Sequence, residues 1–300
     1  MERSYIAWVK QRSGKLPQVP LGIGDDAAVL AANNAHVVTC DSLCDGTHFI
    51  LDECGARAVG RKLAGVNLSD LASMAADPAA LFISLCLPKS NATELATEIF
   101  EGIFELAEKY QVSIAGGDTN TWEGKLVVHM TAIGSAPAKG CWLRSGARPG
   151  DLIVVSGSLG GSILGKHLTF EPRLSLASAL RDNYEIHAAT DISDGLGVDL
   201  LNVFTQSHCG AVLDLEKVPI SAAAHDLSIR TNQPALDHAI GDGEDFELLL
   251  AMPPSQAKKL PAEIDGVSLT IIGEFTPRTG LWSRANGRWS QILPKGYTHK

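Results

Sequence analysis

The chain has 300 residues, of which 45% are hydrophobic and 20% charged, a composition typical of a globular protein with a substantial core and enough length for two domains. Lys and Arg number 25 against 34 Asp and Glu, so the formal net charge is -9. Because a protein that binds a phosphate backbone normally presents a basic face, this balance argues against nucleic acid as a partner.

The cysteines and the N-terminal segment bear on the compartment. The six cysteines form no CxxC pair and no Cys/His cluster with zinc spacing, which predicts reduced packing residues in a cytoplasmic protein. The segment MERSYIAWVKQRSGK is charged and lacks the apolar core of a signal peptide. The longest apolar run, ALFISLCL, is too short to cross a bilayer, so we expect no membrane partner.

In the first half of the chain, strand-like runs alternate with helical ones. HVVTCDSL predicts a strand, and ARAVGRKLAGVNLSDLASMAA predicts a helix whose apolar face carries Val59, Leu63, Val66 and Leu71. ALFISLCLP predicts a buried strand, after which a helix begins near Thr93 as its cap. VSIAGG and KLVVHMTAIGSA predict two more strands.

The segment APAKGCWLRSGARPGD is rich in proline and glycine and predicts a domain junction, with domains at 1–137 and 138–300. After it, LIVVSGSLGGS predicts a strand that enters a glycine-rich loop. DISDGLGVDLLNVFTQSHCG predicts a loop and a helix that stops near Gly210, and GAVLDLEKVP and EDFELLLAMP predict strands. Both halves therefore mix strands and helices.

Several acidic residues share one context, at the junction of an apolar strand or helix with a turn that contains glycine or serine. They are Asp26, Asp41, Asp70, Asp118, Asp191, Asp194 and Glu244. Taken singly, each has a structural interpretation: Asp41 and Asp194 as helix caps, Asp118 as a turn residue, and Asp70 as a buried polar group. Taken together, they predict one crevice, because the ends of strands and helices in a mixed fold tend to converge.

Clustered carboxylates need a cation. At ~4 Å two unit charges interact by about 4 kcal/mol even at an effective dielectric near 20, so an unneutralised cluster would protonate or destabilise the fold. Oxygen donors without a His/Cys set favour Mg²⁺, with Mn²⁺ or Ca²⁺ as alternatives, and no EF-hand loop is present in the sequence. A site of Mg²⁺ and loops indicates phosphoryl chemistry.

The usual nucleotide motifs are missing from the sequence. It contains no G-x-x-x-x-G-K-[ST], and SGSLGGS does not match G-x-G-x-x-G. In GIGDDAAVL two carboxylates are adjacent; we assign Asp26 to the cation and expect Asp25 to be a turn residue or one that orients Asp26. Arg144, at the junction, could reach phosphate oxygens with its guanidinium.

GIGDDAAVL, NLSDLASMAADP, GGDT, LRSGARPGD, DISDGL and GEDFEL occur in this order and spacing across nearly the whole chain. Together they resemble the thiamine-monophosphate kinase family, in the aminoimidazole ribonucleotide synthetase-like superfamily of ATP-using enzymes. The resemblance implies that the γ-phosphoryl group of ATP is transferred to thiamine monophosphate with several Mg²⁺ ions, in thiamine diphosphate biosynthesis. It also implies an α+β fold of two mixed α/β domains, with a β-barrel-like homodimer interface between N-terminal domains and a C-terminal α+β domain that completes the site.

The resemblance also implies roles for individual residues. The Mg²⁺ ligands would be Asp26, Thr39, Cys40, Asp41, Asp70, Asp118, Asp191 and Asp194. The residues that contact ATP would be Gly117, Asp118, Arg144 and Ser193, and those that face thiamine monophosphate would be His48 and Glu244. The catalytic residues would be Asp70, Asp118 and Arg144. Transfer is expected to be in line, without a dedicated base or a phosphoenzyme, because the acceptor is already a phosphate anion.

The sequence departs from the family pattern at two places. Cys40 stands where a hydroxyl residue is usual, so that only its backbone carbonyl could be a ligand, and Pro294 stands where an aromatic is common, with Tyr297 or Trp289 as replacements. Asp242 and Asp245 are expected to belong to a solvated turn or to be local caps.

Two alternative functions stay open. One is another ATP-dependent synthetase of the superfamily with a different acceptor pocket; a selenophosphate synthetase is disfavoured because no N-terminal Cys-Gly-Lys arrangement occurs. The other is a scaffold that binds divalent cations without catalysis.

Overall fold

The computed structural model describes residues 20–21, 25–30, 35–285 and 288–297. The charged N-terminal segment, the first glycines of GIGDDAAVL and the last three residues lie outside the described residues. None of the helices described is long and apolar enough to cross a membrane.

The first half of the chain forms a five-stranded sheet covered by two helices. Its elements are β1 (Ala28–Leu30), β2 (His36–Cys44), α1 (Leu51–Ser73), β3 (Asp77–Pro88), α2 (Ala92–Lys109), β4 (Ser113–Trp122) and β5 (Val127–Ser135). The strand order is β1-β2-β5-β3-β4, and all neighbours are antiparallel except β3 and β4. The parallel pair needs a crossover, which α2 supplies.

The second half forms an eight-stranded sheet. Its helices are α3 (Lys166–Thr169), α4 (Leu174–Asn183), α5 (Leu196–Gln206), α6 (Ala222–Thr231), α7 (Ala235–Gly241) and α8 (Pro254–Ala257). Its strands are β6 (Leu152–Ser156), β7 (Ala188–Asp191), β8 (Gly210–Leu213), β9 (Leu248–Met252), β10 (Glu263–Ile264), β11 (Val267–Thr276), β12 (Gly280–Ala285) and β13 (Arg288–Gln291). The order is β13-β12-β8-β11-β6-β9-β7, and β10 pairs with β11.

Helix α1 lies between the two sheets. It contacts β2 and β5 of the first sheet and β7 of the second, and its residues 62 to 69 are all buried. One hydrophobic core therefore runs through both halves, from Leu63 and Leu85 to Val154 and Leu250. Because residues 62 to 69 span two turns, this part of the helix has no solvent face, and the predicted apolar stripe is only part of what it buries.

The predicted strands and helices of the first half are confirmed, with differences at their ends. The prediction that β3 is a buried strand is wrong for one of its faces, because Phe82 and Cys86 are exposed there. Gly55, at φ 75° and ψ 157°, interrupts the first turn of α1, so the regular helix begins at Ala56 as predicted. The prediction of Thr93 as a cap is wrong, because the residue that precedes α2 is Asn91 and Thr93 lies within the helix. The strand predicted at VSIAGG continues to Trp122, since it pairs with β3 along its whole length.

In the second half, β6 and α5 agree with the predicted elements, β8 and β9 are shorter than the predicted strands, and Asp191, predicted to begin a loop, is the last residue of β7. The fold class is confirmed as two mixed α/β halves. The junction segment has no helix or strand but is packed: Trp142 is buried and its N–H donates to the Met74 carbonyl at 3.3 Å.

The cysteines are all unpaired, as predicted, but they are not all packing residues. Cys40 and Cys86 are exposed on the outer face of the first sheet, whereas Cys209 is buried. Alternation along β2 explains the exposure of Cys40, because Thr39, Asp41 and Leu43 lie on the inner face of the strand and Cys40 and Ser42 lie on the outer face.

Candidate active site

A cavity of about 690 Å³ lies between the two halves of the chain, beside α1. It brings together a set of the predicted site residues, namely Asp41, His48, Asp70, Asp191, Ser193, Asp194 and Glu244. These side chains come from β2, the loop after it, α1, the end of β7 and two loops of the second half. Asp41 and Asp191, which are 150 positions apart in the sequence, therefore line the same cavity because α1 lies between the two sheets.

Three carboxylates form the acidic centre of the site. Atoms of Asp26, Asp70 and Asp191 lie within 4.8 Å of one another. The hydroxyl of Thr39 donates to Asp70, and the Ser69 hydroxyl donates to Asp191 at 2.5 Å. The centre thus gathers donors from the segment before β1, from β2, from α1 and from β7.

The electrostatics of this centre are unbalanced. Burial, followed by the charge of Asp26, raises the pKa of Asp191 to about 7, and burial raises the pKa of Asp41 to about 6. Burial and the charges of Asp41, Asp191 and Asp26 hold the pKa of Asp70 well above its ordinary value. Asp26 Oδ2 and Asp41 Oδ2 are buried without a hydrogen-bond partner. Oxygen donors with two orphaned carboxylate atoms fit a hard divalent cation such as Mg²⁺.

Arg144 is held by the adjacent carboxylates of the opening motif. Its backbone N–H donates to both Asp25 oxygens, at 3.1 and 3.2 Å, and its guanidinium pairs with Asp26. The Asp26 N–H donates to Asp25 Oδ1 at 3.1 Å, so Asp25 orients both neighbours. Burial and the charge of Asp26 raise the pKa of Asp25 to about 6. The guanidinium also donates to Thr190 at 3.3 Å, so it lies beside the acidic centre.

The turn at Ser193 and Asp194 is fixed by a residue that the sequence did not single out. Asp199, in the first turn of α5, accepts the N–H groups of Ser193 and Asp194, both at 3.0 Å. It is buried, and burial with the charges of Asp194 and Asp191 holds its pKa well above the ordinary value. Asp194 is therefore not a helix cap, since Gly195 precedes α5 and Asp199 caps the turn.

The loop at residues 242–247 alternates its side chains. Glu244 and Phe246 have positive φ values of 65° and 50°, and their N–H groups donate to the Ser193 and Ile192 carbonyls at 2.7 and 2.8 Å. Both side chains line the cavity. A left-handed conformation costs a non-glycine residue of order 1–3 kcal/mol, so the surrounding contacts must hold it.

The other two acidic residues of this loop supply those contacts. Asp245 accepts the Gly160 N–H at 2.8 Å and the Ser162 hydroxyl at 2.5 Å, which ties the loop to the glycine-rich segment after β6. Glu247 accepts from Arg173 Nε at 2.7 Å and from Lys166 Nζ at 2.9 Å. The prediction that Asp245 belongs to a solvated turn is wrong, because its side chain is fully buried.

One face of α1 carries the polar residues of the site. Lys62, Val66, Ser69 and Asp70 are spaced as neighbours on a helix face. Lys62 is completely buried, and its ammonium donates to the His48 carbonyl at 2.7 Å and to Glu244 Oε1 at 2.5 Å. His48 Nδ1 accepts the Cys44 N–H at 3.0 Å, so the neutral ring carries its proton on Nε2.

Gly117, Asp118 and Cys40 are not brought to the acidic centre. Asp118 is exposed on the edge strand β4, where it accepts from Asn120 at 2.7 Å, and it borders a separate depression with Gly117. A Cβ on Gly117 would lie 1.9 Å from the Ile83 carbonyl oxygen, so only glycine allows the strands to approach. The Cys40 side chain is on the opposite face of β2 from Thr39 and Asp41.

Comparison with known proteins agrees with this geometry. Residues 24–136 match the model of the AIR synthase related protein, N-terminal domain, and residues 148–282 match that of its C-terminal domain. A curated thiamine-monophosphate kinase from Rhodopirellula baltica is 42% identical over 309 residues, which cover 100% of this chain and 97% of the relative. The chain belongs to the thiamine-monophosphate kinase family. The predicted resemblance is therefore confirmed.

Two solved structures with the same fold differ in their sequence identity to this chain. The complex "AaThiL complexed with AMPPCP and TMP" has a TM-score of 0.85 and 25% identity, and the match covers 99% of this chain and 96% of that chain. E. coli HypE, a hydrogenase maturation protein, has a TM-score of 0.74 but 18% identity, covering 99% of each chain, and shows the fold alone. The shared fold does not distinguish between the functions of these proteins, whereas the sequence identity to thiamine-monophosphate kinases does.

Sequence reasoning missed several residues that hold the site of this thiamine-monophosphate kinase family member. They are Lys62, Ser69, Thr190, Asp199, Asp245 and Glu247. For Lys62 and Ser69 a signal existed, since the two polar residues are seven positions apart and therefore lie on one face of the helix, the face that carries Val66. Of the two suggested aromatic replacements, Tyr297 lines the cavity, and its N–H donates to the Asp194 carbonyl at 2.8 Å.

Proposed function

We propose that the chain transfers the γ-phosphoryl group of ATP to thiamine monophosphate, giving thiamine diphosphate and ADP. One observation carries the proposal: a single cavity joins an acidic centre with unbalanced charge to a second polar group, Glu244 with His48. The acidic centre suits phosphates with their cations, and Glu244 with His48 suits the organic part of an acceptor. Thiamine-monophosphate kinases at up to 42% identity support the same assignment.

The acidic centre would hold Mg²⁺. Asp26, Asp70 and Asp191 would be ligands, with Asp41 beside them, because their oxygens are close, buried and partly unpartnered. When bound, Mg²⁺ supplies neutralisation of the charge that separates donor and acceptor phosphates. Asp194 would join the set from the turn that Asp199 fixes, and Thr39 would orient Asp70.

The protein's own groups would position the reaction. Arg144, held by Asp25 and Asp26, would face phosphate oxygens beside the acidic centre, and Ser193 would contact ATP at the turn. No side chain needs to remove a proton, because the acceptor oxygen of a phosphate monoester is already anionic at neutral pH. The catalytic contribution would come from alignment and charge neutralisation.

Gly117 and Asp118 would extend the nucleotide site along the edge strand. Asp118 is exposed there, so we propose that it serves ATP and Mg²⁺ at the margin of the first sheet. Cys40 could contribute to a metal only through its backbone carbonyl, since its side chain is on the outer face.

We also propose a homodimer in the cytoplasm with domains at 1–137 and 138–300. The outer face of the first sheet exposes Phe82, Cys40 and Cys86, which a second copy would cover as a β-barrel-like interface. Six unpaired cysteines are consistent with a reducing compartment.

The test is an assay of the purified chain with ATP and Mg²⁺, with and without thiamine monophosphate, in which ADP and thiamine diphosphate are separated by chromatography. We expect thiamine diphosphate and ADP in equal amounts, and neither without the acceptor. ADP formed only with another phosphorylated acceptor would favour a different synthetase of the superfamily. Tight Mg²⁺ binding without turnover would favour a cation-binding scaffold.

A further inference from the structure

Lys62 is a buried cation that the sequence did not single out. Its side chain has no exposed surface, although lysine is almost never fully buried unless it is paired. It projects from α1 on the same face as Val66 and Asp70, both of which line the cavity. The ammonium therefore lies behind the cavity wall, where substrate does not reach it.

The two partners of Lys62 are the two residues predicted to face the acceptor. Its ammonium donates to the His48 carbonyl at 2.7 Å and to Glu244 Oε1 at 2.5 Å. His48 belongs to the loop after β2, and Glu244 belongs to a loop of the second half, so one charge ties both loops to α1. The Glu244 side chain is 31% exposed, and Glu244 lines the cavity.

The geometry points to Lys62 as a positioning residue that selects the acceptor, by holding Glu244 from behind so that its carboxylate meets a cationic or amino-bearing heterocycle. This inference rests on the proposed function, since it concerns the acceptor end of the same cavity. A carboxylate with one oxygen bound to a fixed ammonium is held in one orientation. It then favours ligands that carry a positive charge or N–H donors, as the aminopyrimidine and thiazolium rings of thiamine do.

The acceptor end differs from the acidic centre in this respect. There, orphaned oxygens require an added cation, whereas Glu244 already has one in Lys62. Glu244 therefore needs no metal ion to balance its charge, and its carboxylate can bind the organic substrate. Its loss should weaken binding of the acceptor and leave binding of ATP unchanged.

The experiment compares Lys62→Met with Arg181→Met in the full chain. Arg181 is a matched control because its guanidinium also joins the two halves through one carbonyl and one carboxylate, Ala75 O at 2.7 Å and Asp77 at 3.0 Å, but away from the cavity. We expect Lys62→Met to raise the KM for thiamine monophosphate at least tenfold and to change the KM for ATP less than twofold. Arg181→Met should lower the Tm and leave both KM values within twofold.

A double-mutant cycle with Glu244→Gln keeps the inference testable if Lys62→Met does not fold, because the double variant leaves no unpaired charge. Since Lys62 acts through Glu244, the double variant should match Glu244→Gln within twofold in KM for thiamine monophosphate. A further tenfold rise in the double variant, or a folded Lys62→Met with unchanged KM, would overturn the inference. Wild type is assayed alongside, and its failure to use thiamine monophosphate would instead overturn the proposed function.

Discussion

Two groups of buried carboxylates differ in what neutralises them. Glu247 is surrounded by Arg173, Lys166 and Ser156, and hydrogen bonds to Arg173 and the charge of Lys166 outweigh the effect of burial and lower its pKa. Asp191 is as deeply buried and Asp70 is partly buried at the cavity, but both face other carboxylates, and their pKa values are raised. The comparison separates a carboxylate that holds the fold from carboxylates arranged to receive a cation.

The largest expected effect on activity comes from changing a carboxylate of the acidic centre. Asp70→Asn should lower kcat by at least about a thousandfold, about 4 kcal/mol, because a neutral amide is a poor ligand for Mg²⁺. The Tm of the metal-free protein should stay unchanged or rise, since Asn removes a carboxylate whose ionised form is unfavourable. A steady-state assay and a thermal melt measure both.

Asp118→Asn is the comparison for that variant. Because Asp118 is exposed on β4, outside the acidic trio, it should lower turnover while the Tm gain on adding Mg²⁺ persists. Near-normal turnover in either variant would remove that residue from the proposed ligands.

Changing Glu247, whose charge Arg173 and Lys166 neutralise, should affect the stability of the fold first. Glu247→Gln leaves Arg173 and Lys166 without their carboxylate, and removing one partner of a buried pair costs about 3–5 kcal/mol. Urea unfolding measures this loss. Glu105→Gln, at the exposed pair with Arg57, is the control and should cost less than about 1 kcal/mol. Equal losses of unfolding free energy in the two variants would show that Glu247 does not stabilise the fold more than an exposed ion pair does.

The carboxylates of the acidic centre should also make the effect of Mg²⁺ on stability depend on pH. The pKa of Asp191 is about 7 when folded against an ordinary value of 3.8, so the folded state binds more protons than the unfolded state in this range. Stability of the metal-free protein therefore falls as pH rises from about 4 to 7, and the full penalty is present above that.

Mg²⁺ removes this penalty, so the Tm gain on adding it should be a few degrees larger at pH 8 than at pH 6. Thermal melts with Mg²⁺ and with EDTA measure the difference, and Asp191→Asn should reduce it. An equal gain at both pH values would contradict the assignment of this cluster as the metal site.

The smallest effect is expected at Cys40. Cys40→Ala should change kcat less than about twofold, because the side chain is on the outer face of β2 and offers at most its backbone carbonyl. Thr39→Val, one residue earlier, should lower kcat about tenfold because it removes the hydroxyl that donates to Asp70. Activity lost at Cys40 and kept at Thr39 would reverse the assignment of the two faces.

The sequence predicted the carboxylates but not which of them are neutralised. In GEDFEL three of the six residues are acidic, and the positive φ values at Glu244 and Phe246 decide that Glu244 faces the cavity while Asp245 and Glu247 face away. No local pattern reveals those angles, because they depend on hydrogen bonds to Ile192 and Ser193, about fifty residues away.

The long helix shows a second limit. Its period was predicted correctly, and its apolar residues are buried as expected. The second sheet that covers its other side could not be inferred from the period, so Lys62 was not singled out. Asp118 shows the opposite case, since its motif was recognised but the length of β4 places it outside the cavity.

Helix α1 also limits how this site can change in evolution. Inserting or deleting one residue near its middle would turn everything beyond that point by about 100°. Lys62 and Asp70 would then no longer share a face, and the metal and acceptor ends of the cavity would lose their common orientation. Loops around the cavity can lengthen or shorten without that penalty, so new acceptors are expected to arise through loop changes while the length of α1 stays the same.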